Sequence, residues 1–121
     1  MNLNLIEEIL KTLLWACIED YAGLWELLWE VNSKVPGMSE FERKRLALQA
    51  TQFLLEKGFI RLFRCNEPYG DLSELEMYVA RGALHEERNW DAPEVDGISI
   101  RVGATEEGEE LYMSGGSILG Q

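Results

Sequence analysis

The sequence predicts an α+β fold, mainly helical: three helices, a strand, an insert, a second strand and a short last helix. Three observations carry this expectation. Apolar residues recur at three- and four-residue spacing through the first half. Two short runs rich in branched and aromatic residues, at 59–64 and 98–102, are each bounded by turn residues. Ser39 and Glu42 stand at the spacing of a capping box, the strongest local signal in the chain. A length of 121 residues suits one core, expected over residues 1–113, with the glycine-containing segment 114–121 as a flexible tail. Hydrophobic residues at 46% and charged residues at 27% are the composition of a folding chain rather than a disordered one.

The elements follow in order. Asn4 and Glu7 mark a helix start, and Ile6, Ile9, Leu10, Leu13, Leu14 and Cys17 give a helical stripe, so the first helix is expected over 5–19. Gly23 interrupts the pattern. Leu24, Trp25, Leu27, Leu28, Trp29 and Val31 then make a second short helix, apolar over most of its circumference, closed by Pro36 and Gly37. The third helix is expected from Glu40 to Lys57, stopped by a left-handed residue at Gly58. The first strand is followed by a turn at 66–71, and Ser73 with Glu76 repeats the capping-box spacing ahead of a modest helix weakened by Gly82. Asp96 and Gly97 turn into a strand in which Ile98, Ile100 and Val102 alternate with polar residues, and this strand is expected to pair with the first. Thr105 caps a last helix over 106–113, with Glu106 and Glu107 at its positive end.

The run Leu54-Leu55-Glu56-Lys57-Gly58-Phe59-Ile60 resembles the junction where the third helix of a winged-helix domain ends on glycine and enters the first wing strand. Residues 102–111, Val-Gly-Ala-Thr-Glu-Glu-Gly-Glu-Glu-Leu, are similar to a second wing strand passing into a following helix. The resemblance spans about residues 24–112 and implies a winged-helix-like three-helix bundle with a two-stranded β-hairpin. The chain departs from that family between Cys65 and Gly97, where an insert of about thirty residues, partly helical, separates the strands.

Charge divides function classes. Eleven basic against 22 acidic residues give a net charge of -11, which disfavours nucleic acid and anionic membranes as partners. The distribution is uneven: residues 1–33 sum to -5, 34–64 to +4, and 65–121 to -10. The resemblance implies that Arg43, Lys44 and Arg45, near the start of the third helix, would approach phosphates or guanine edges if the protein were a DNA-binding transcription regulator. Against this, the third helix has two apolar sides on a helical wheel: Leu46, Ala50, Phe53, Leu54 and Lys57 share one, and Phe41, Leu48 and Leu55 form a stripe nearly opposite. Large apolar groups suit a protein neighbour better than base edges. The expected function is therefore protein–protein contact, with self (a homodimer) or a basic protein as partner, and Phe41, Leu48, Leu55, Trp25 and Trp29 as candidate contact residues.

Catalysis is not expected, and neither is a cofactor or a metal. His85 is the single histidine, and with Cys17 and Cys65 it lacks the close ligand pairs of a zinc site. Gly103, Gly108, Gly115 and Gly116 lack the lysine and spacing of a phosphate loop. The acidic run Glu106, Glu107, Glu109 and Glu110 reads as a solvated helix face. Charged residues break every long apolar stretch, so no membrane span is expected. With no basic start or cleavage pattern, the expected location is the cytoplasm, where both thiols stay reduced.

Overall fold

The structure, a computed structural model, describes residues 2–68 and 70–121. Tyr69, in the expected turn at 66–71, and Met1 lie outside the described residues. In chain order the elements are α1 (Leu3–Glu19), β1 (Ala22–Gly23), α2 (Leu24–Lys34), α3 (Glu40–Glu56), β2 (Ile60–Asn66), β3 (Leu72–Glu74), α4 (Met77–Leu84), a 3-10 turn (Glu87–Trp90), β4 (Ile98–Ala104) and α5 (Glu106–Ser114). The fold is α+β.

The capping box opens α3 as expected: Ser39 Oγ accepts the Glu42 N–H at 3.1 Å and the Glu42 carboxylate accepts the Ser39 N–H at 3.4 Å. Gly58 closes the helix at φ 79°, a region that costs a residue with a Cβ about 1–2 kcal/mol. Thr105 Oγ1 accepts the Gly108 N–H at 3.1 Å at the start of α5. Gly108 also lets α5 press on the backbone carbonyl of Phe59, a place with no room for a Cβ.

Sheet pairing extends beyond the expected two-stranded hairpin. Four antiparallel strands lie in the order β1-β4-β2-β3, with Ile60 opposite Ala104 and Asn66 opposite Ile98 along the central pair. Beyond them, Ala22 pairs with Val102 and Arg64 with Ser73. Ser73 is thus a strand residue, not the cap expected for α4, whose N-cap is Glu76 without a side-chain hydrogen bond. The pairing of Ser73 with Arg64 outweighs a local capping preference.

One sheet face carries Ile60, Leu62, Ile100 and Val102 into an apolar cluster with Leu10, Leu13 and Leu14 of α1, Leu27 and Val31 of α2, and Leu54 of α3. Of the described residues, Thr51 Oγ1 alone is a buried side-chain N or O without a hydrogen-bond partner.

Two expectations at the chain ends are corrected together. Helix α1 starts at Leu3 on the Asn2 cap rather than at Leu5. Glu7 is free of capping duty and instead accepts Ser117 Oγ and the N–H groups of Ile118 and Leu119 at 2.6–3.1 Å. Segment 114–121 is therefore docked on α1, with Ile118 fully buried, not a flexible tail. Burial raises the Glu7 carboxyl's pKa, but the hydrogen bonds from Ser117, Leu119 and Ile118 outweigh it and the net shift is downward.

Candidate functional site

Helix α3 buries Leu46, Ala47, Ala50, Thr51, Leu54 and Leu55 along one broad face. Leu55, expected on an outer stripe with Phe41 and Leu48, is 1% exposed and belongs to the core. Helix α4 of the insert packs against α3 on that half, with Arg81 donating to both carboxylate oxygens of Glu56. The N-terminal half of the same stripe is open. Phe41 is 73% exposed and Leu48 half-buried.

Between this half of α3 and the end of the insert lies a groove of about 460 Å³. Leu28 of α2 and Leu48 meet Leu84 and Trp90 of the insert at its floor and walls. Trp90 is held in place because its indole N–H donates to the Leu84 carbonyl at 2.9 Å, so the insert's own hydrogen bonding shapes the far wall. Phe41, Lys44 and Arg45 line the α3 side, and His85 and Glu87 the insert side.

The three cations named for nucleic acid have separate fates. Arg43 donates to Asn32 Oδ1 at 2.9 Å and to the carbonyls of Met38 and Pro36 at 2.6 and 3.3 Å, clamping the connection between α2 and α3. Its guanidinium serves the fold instead of facing a duplex. Lys44 lies 3.4 Å from Glu40 and 3.7 Å from Glu87. Its hydrogen bond and attraction to Glu40 raise its pKa. Arg45 is exposed and has no ion-pair partner among the described residues.

The tryptophans also separate. Trp25, a candidate contact residue, is 7% exposed and lies beneath the Arg101 guanidinium at 5.1 Å, so it is a packing residue. Trp29 is 57% exposed and is not a wall of the groove. Trp15 stacks on Tyr112, tying α1 to α5. Of the five residues named for partner contact, the fold brings Phe41 and Leu48 to one site.

Sequence patterns gave no sign of the polar cluster on the opposite sheet face. There Arg101 donates to Glu67 through Nε at 3.0 Å and Nη2 at 2.6 Å, with side chains 13% and 10% exposed. Ser99 adds a hydrogen bond at 2.9 Å, and Arg101 also reaches the Tyr21 carbonyl at 2.7 Å. The Arg101 hydrogen bonds hold the Glu67 pKa down to about 2 against the opposing effect of burial. A carboxylate and a guanidinium so fully engaged anchor the start of the insert to the sheet.

The other candidates for chemistry are dispersed. Cys17 is buried in α1, its pKa pushed up to about 12 by burial, and Cys65 is buried in β2. Both are free thiols. His85 is exposed on the groove's rim. Among the described residues no three His, Cys, Asp or Glu side chains come together as a metal-holding group, and no helix is long and apolar enough to cross a membrane.

Comparison with protein-family models, with curated proteins and with solved structures finds no match. The groove's geometry thus stands alone. A concave apolar site with an exposed phenyl and a few charges on its rim can take up an apolar group.

Proposed function

We propose that this chain is a small, acidic, winged-helix-like module that acts through protein contacts, and that its docking surface is the groove between α3 and the insert. Element order supports the architectural part: helix, short strand, two helices, then two long strands, with β1 beside β4 and β4 beside β2. Three helices followed by an antiparallel pair of long strands with an insert between them are what the resemblance implies, and β1 and β3 are additions to that plan. The single observation that carries the functional part is the exposed Phe41 beside an apolar groove on the half of α3 that the insert leaves open.

The runner-up, a DNA-binding regulator, draws on Arg45, the one of the three cations without a described partner. It is the weaker reading. Arg43 and Lys44 are engaged within the fold, and a net charge of -11 opposes approach to phosphates. Cytoplasmic location belongs to the same proposal.

A peptide-display selection on the full chain tests the reading. The expected result is enrichment of peptides with a large apolar anchor, whose affinity falls at least about tenfold on Leu48→Ala in a chain that circular dichroism shows still folded. Absence of any such peptide, or tight duplex DNA binding that persists at about 0.15 M salt, would overturn it.

A further inference from the structure

Resting on the docking reading above, we propose that the occupant of the groove is a second copy of this chain, in a two-fold dimer in which each Phe41 enters the other copy's groove. Phe41 stands in water at the lip of a cavity of about 460 Å³ walled by Leu28, Leu48, Leu84 and Trp90. The surface thus carries a knob and a hole side by side. A two-fold axis between them brings each knob to the other copy's hole, which is the self-complementarity an isologous interface requires.

Charge on the rim has the same symmetry. The α3 lip bears Arg45, whose guanidinium has no ion-pair partner among the described residues, and the insert lip bears Glu87. Glu87 meets Lys44 at 3.7 Å, yet its side chain remains 85% exposed, so its carboxylate can accept a second cation. Rotation by the two-fold axis exchanges the lips: Arg45 of each copy faces Glu87 of the other. A strongly basic partner would meet Lys44 and Arg45 directly, and a strongly acidic one would meet Glu87. A surface with one lip of each sign fits its own copy without either conflict. The α3 lip belongs to the segment of net positive charge, 34–64, and the insert lip to the segment 65–121, which sums to -10, so the exchange sets lips from segments of opposite net charge against each other.

The experiment is sedimentation equilibrium of the full chain from about 1 to 100 μM. Dimer is expected in that range, and Phe41→Glu is expected to weaken it at least about tenfold with an unchanged melting curve, because the phenyl is exposed in the single copy. The diagnostic step is a charge exchange. Arg45→Glu alone sets two carboxylates against each other across the interface, and Glu87→Arg alone sets two guanidinium groups against each other, so each variant dimerises more weakly. An equimolar mixture of the two variants forms a mixed dimer in which one contact pairs the two native side chains and the other pairs the two introduced ones, both of opposite charge, and it is expected to recover the dimer. A wild-type chain that stays monomeric throughout, a dimer indifferent to Phe41→Glu, or a mixture no better than its components would overturn the proposal. Should the chain be monomeric yet still bind displayed peptides through Leu48, self-association fails and the docking reading stands; loss of both removes both.

Discussion

The two ends of one stripe on α3 have opposite fates. At the C-terminal end Leu55 is sealed in the core, and at the N-terminal end Phe41 stands in solvent beside an open groove. Both residues are large and apolar, and both sit at the same angular edge of the helix. The difference lies in the cover. An α4 of eight residues is about 12 Å long, whereas the seventeen-residue α3 runs to about 26 Å, so the insert helix can roof only half of it. Hydrophobicity marks where a partner surface is wanted; the length of chain available to supply it decides whether the partner is internal.

That comparison can be broken hardest at the insert's anchor. Glu67→Ala leaves the largely buried Arg101 without its closest carboxylate, and a loss of about 3 kcal/mol is expected from urea unfolding. The pH dependence follows the sign of the shift. The folded pKa of Glu67, about 2, lies below its unfolded value, so its contribution is complete above pH 4.5 and fades as pH falls toward 2. In the variant, the wild type's steeper acid loss over that window should be absent.

Of similar size is the effect at the buried end of the stripe itself. Leu55→Ala should cost about 2–5 kcal/mol by emptying a core site, while Phe41→Ala should change stability by less than about 0.5 kcal/mol. Equal costs in paired thermal melts would mean that the two ends are equally covered. Thr51→Val tests the seam between them in the opposite direction. The hydroxyl is buried without a partner, and replacing it by a methyl of the same shape should raise stability by about 1 kcal/mol in denaturant titration. The smallest effect is expected from Arg81→Ala. Its pair with Glu56 is solvent-accessible, so the global unfolding curve should barely move. Faster amide exchange in α4 is the more sensitive readout, because that pair ties the insert helix to α3.

How much of this was legible varies with the range of the interaction. The cap at Ser39 and Glu42, the stop at Gly58 and the Thr105 start of α5 involve residues at most three or four apart, and they stand where the sequence places them. The pairing of β2 with β4 followed from two apolar runs that needed partners. The same spacing rule failed at Ser73, where a strand neighbour competed, and at Asn4 and Glu7, where the carboxylate found the segment at 117–119 instead. The groove was half legible: Phe41 and Leu48 could be named, but Leu84, His85, Glu87 and Trp90 could not be assigned to it. A leucine and a tryptophan six residues apart in the insert were the available signal, and nothing local says which helix they meet.

By itself the sequence determined the order of the helices and of the two long strands, the α+β class, the caps of α3 and α5 and the uneven charge, because each depends on neighbours along the chain or on a sum over it. Tertiary structure decided which apolar residues became core and which remained a surface, and which cations were engaged within the fold. Glu56 meets Arg81 across 25 residues and Glu67 meets Arg101 across 34. Burial and ion pairing depend on such distant encounters, which the folded backbone creates and local spacing does not encode.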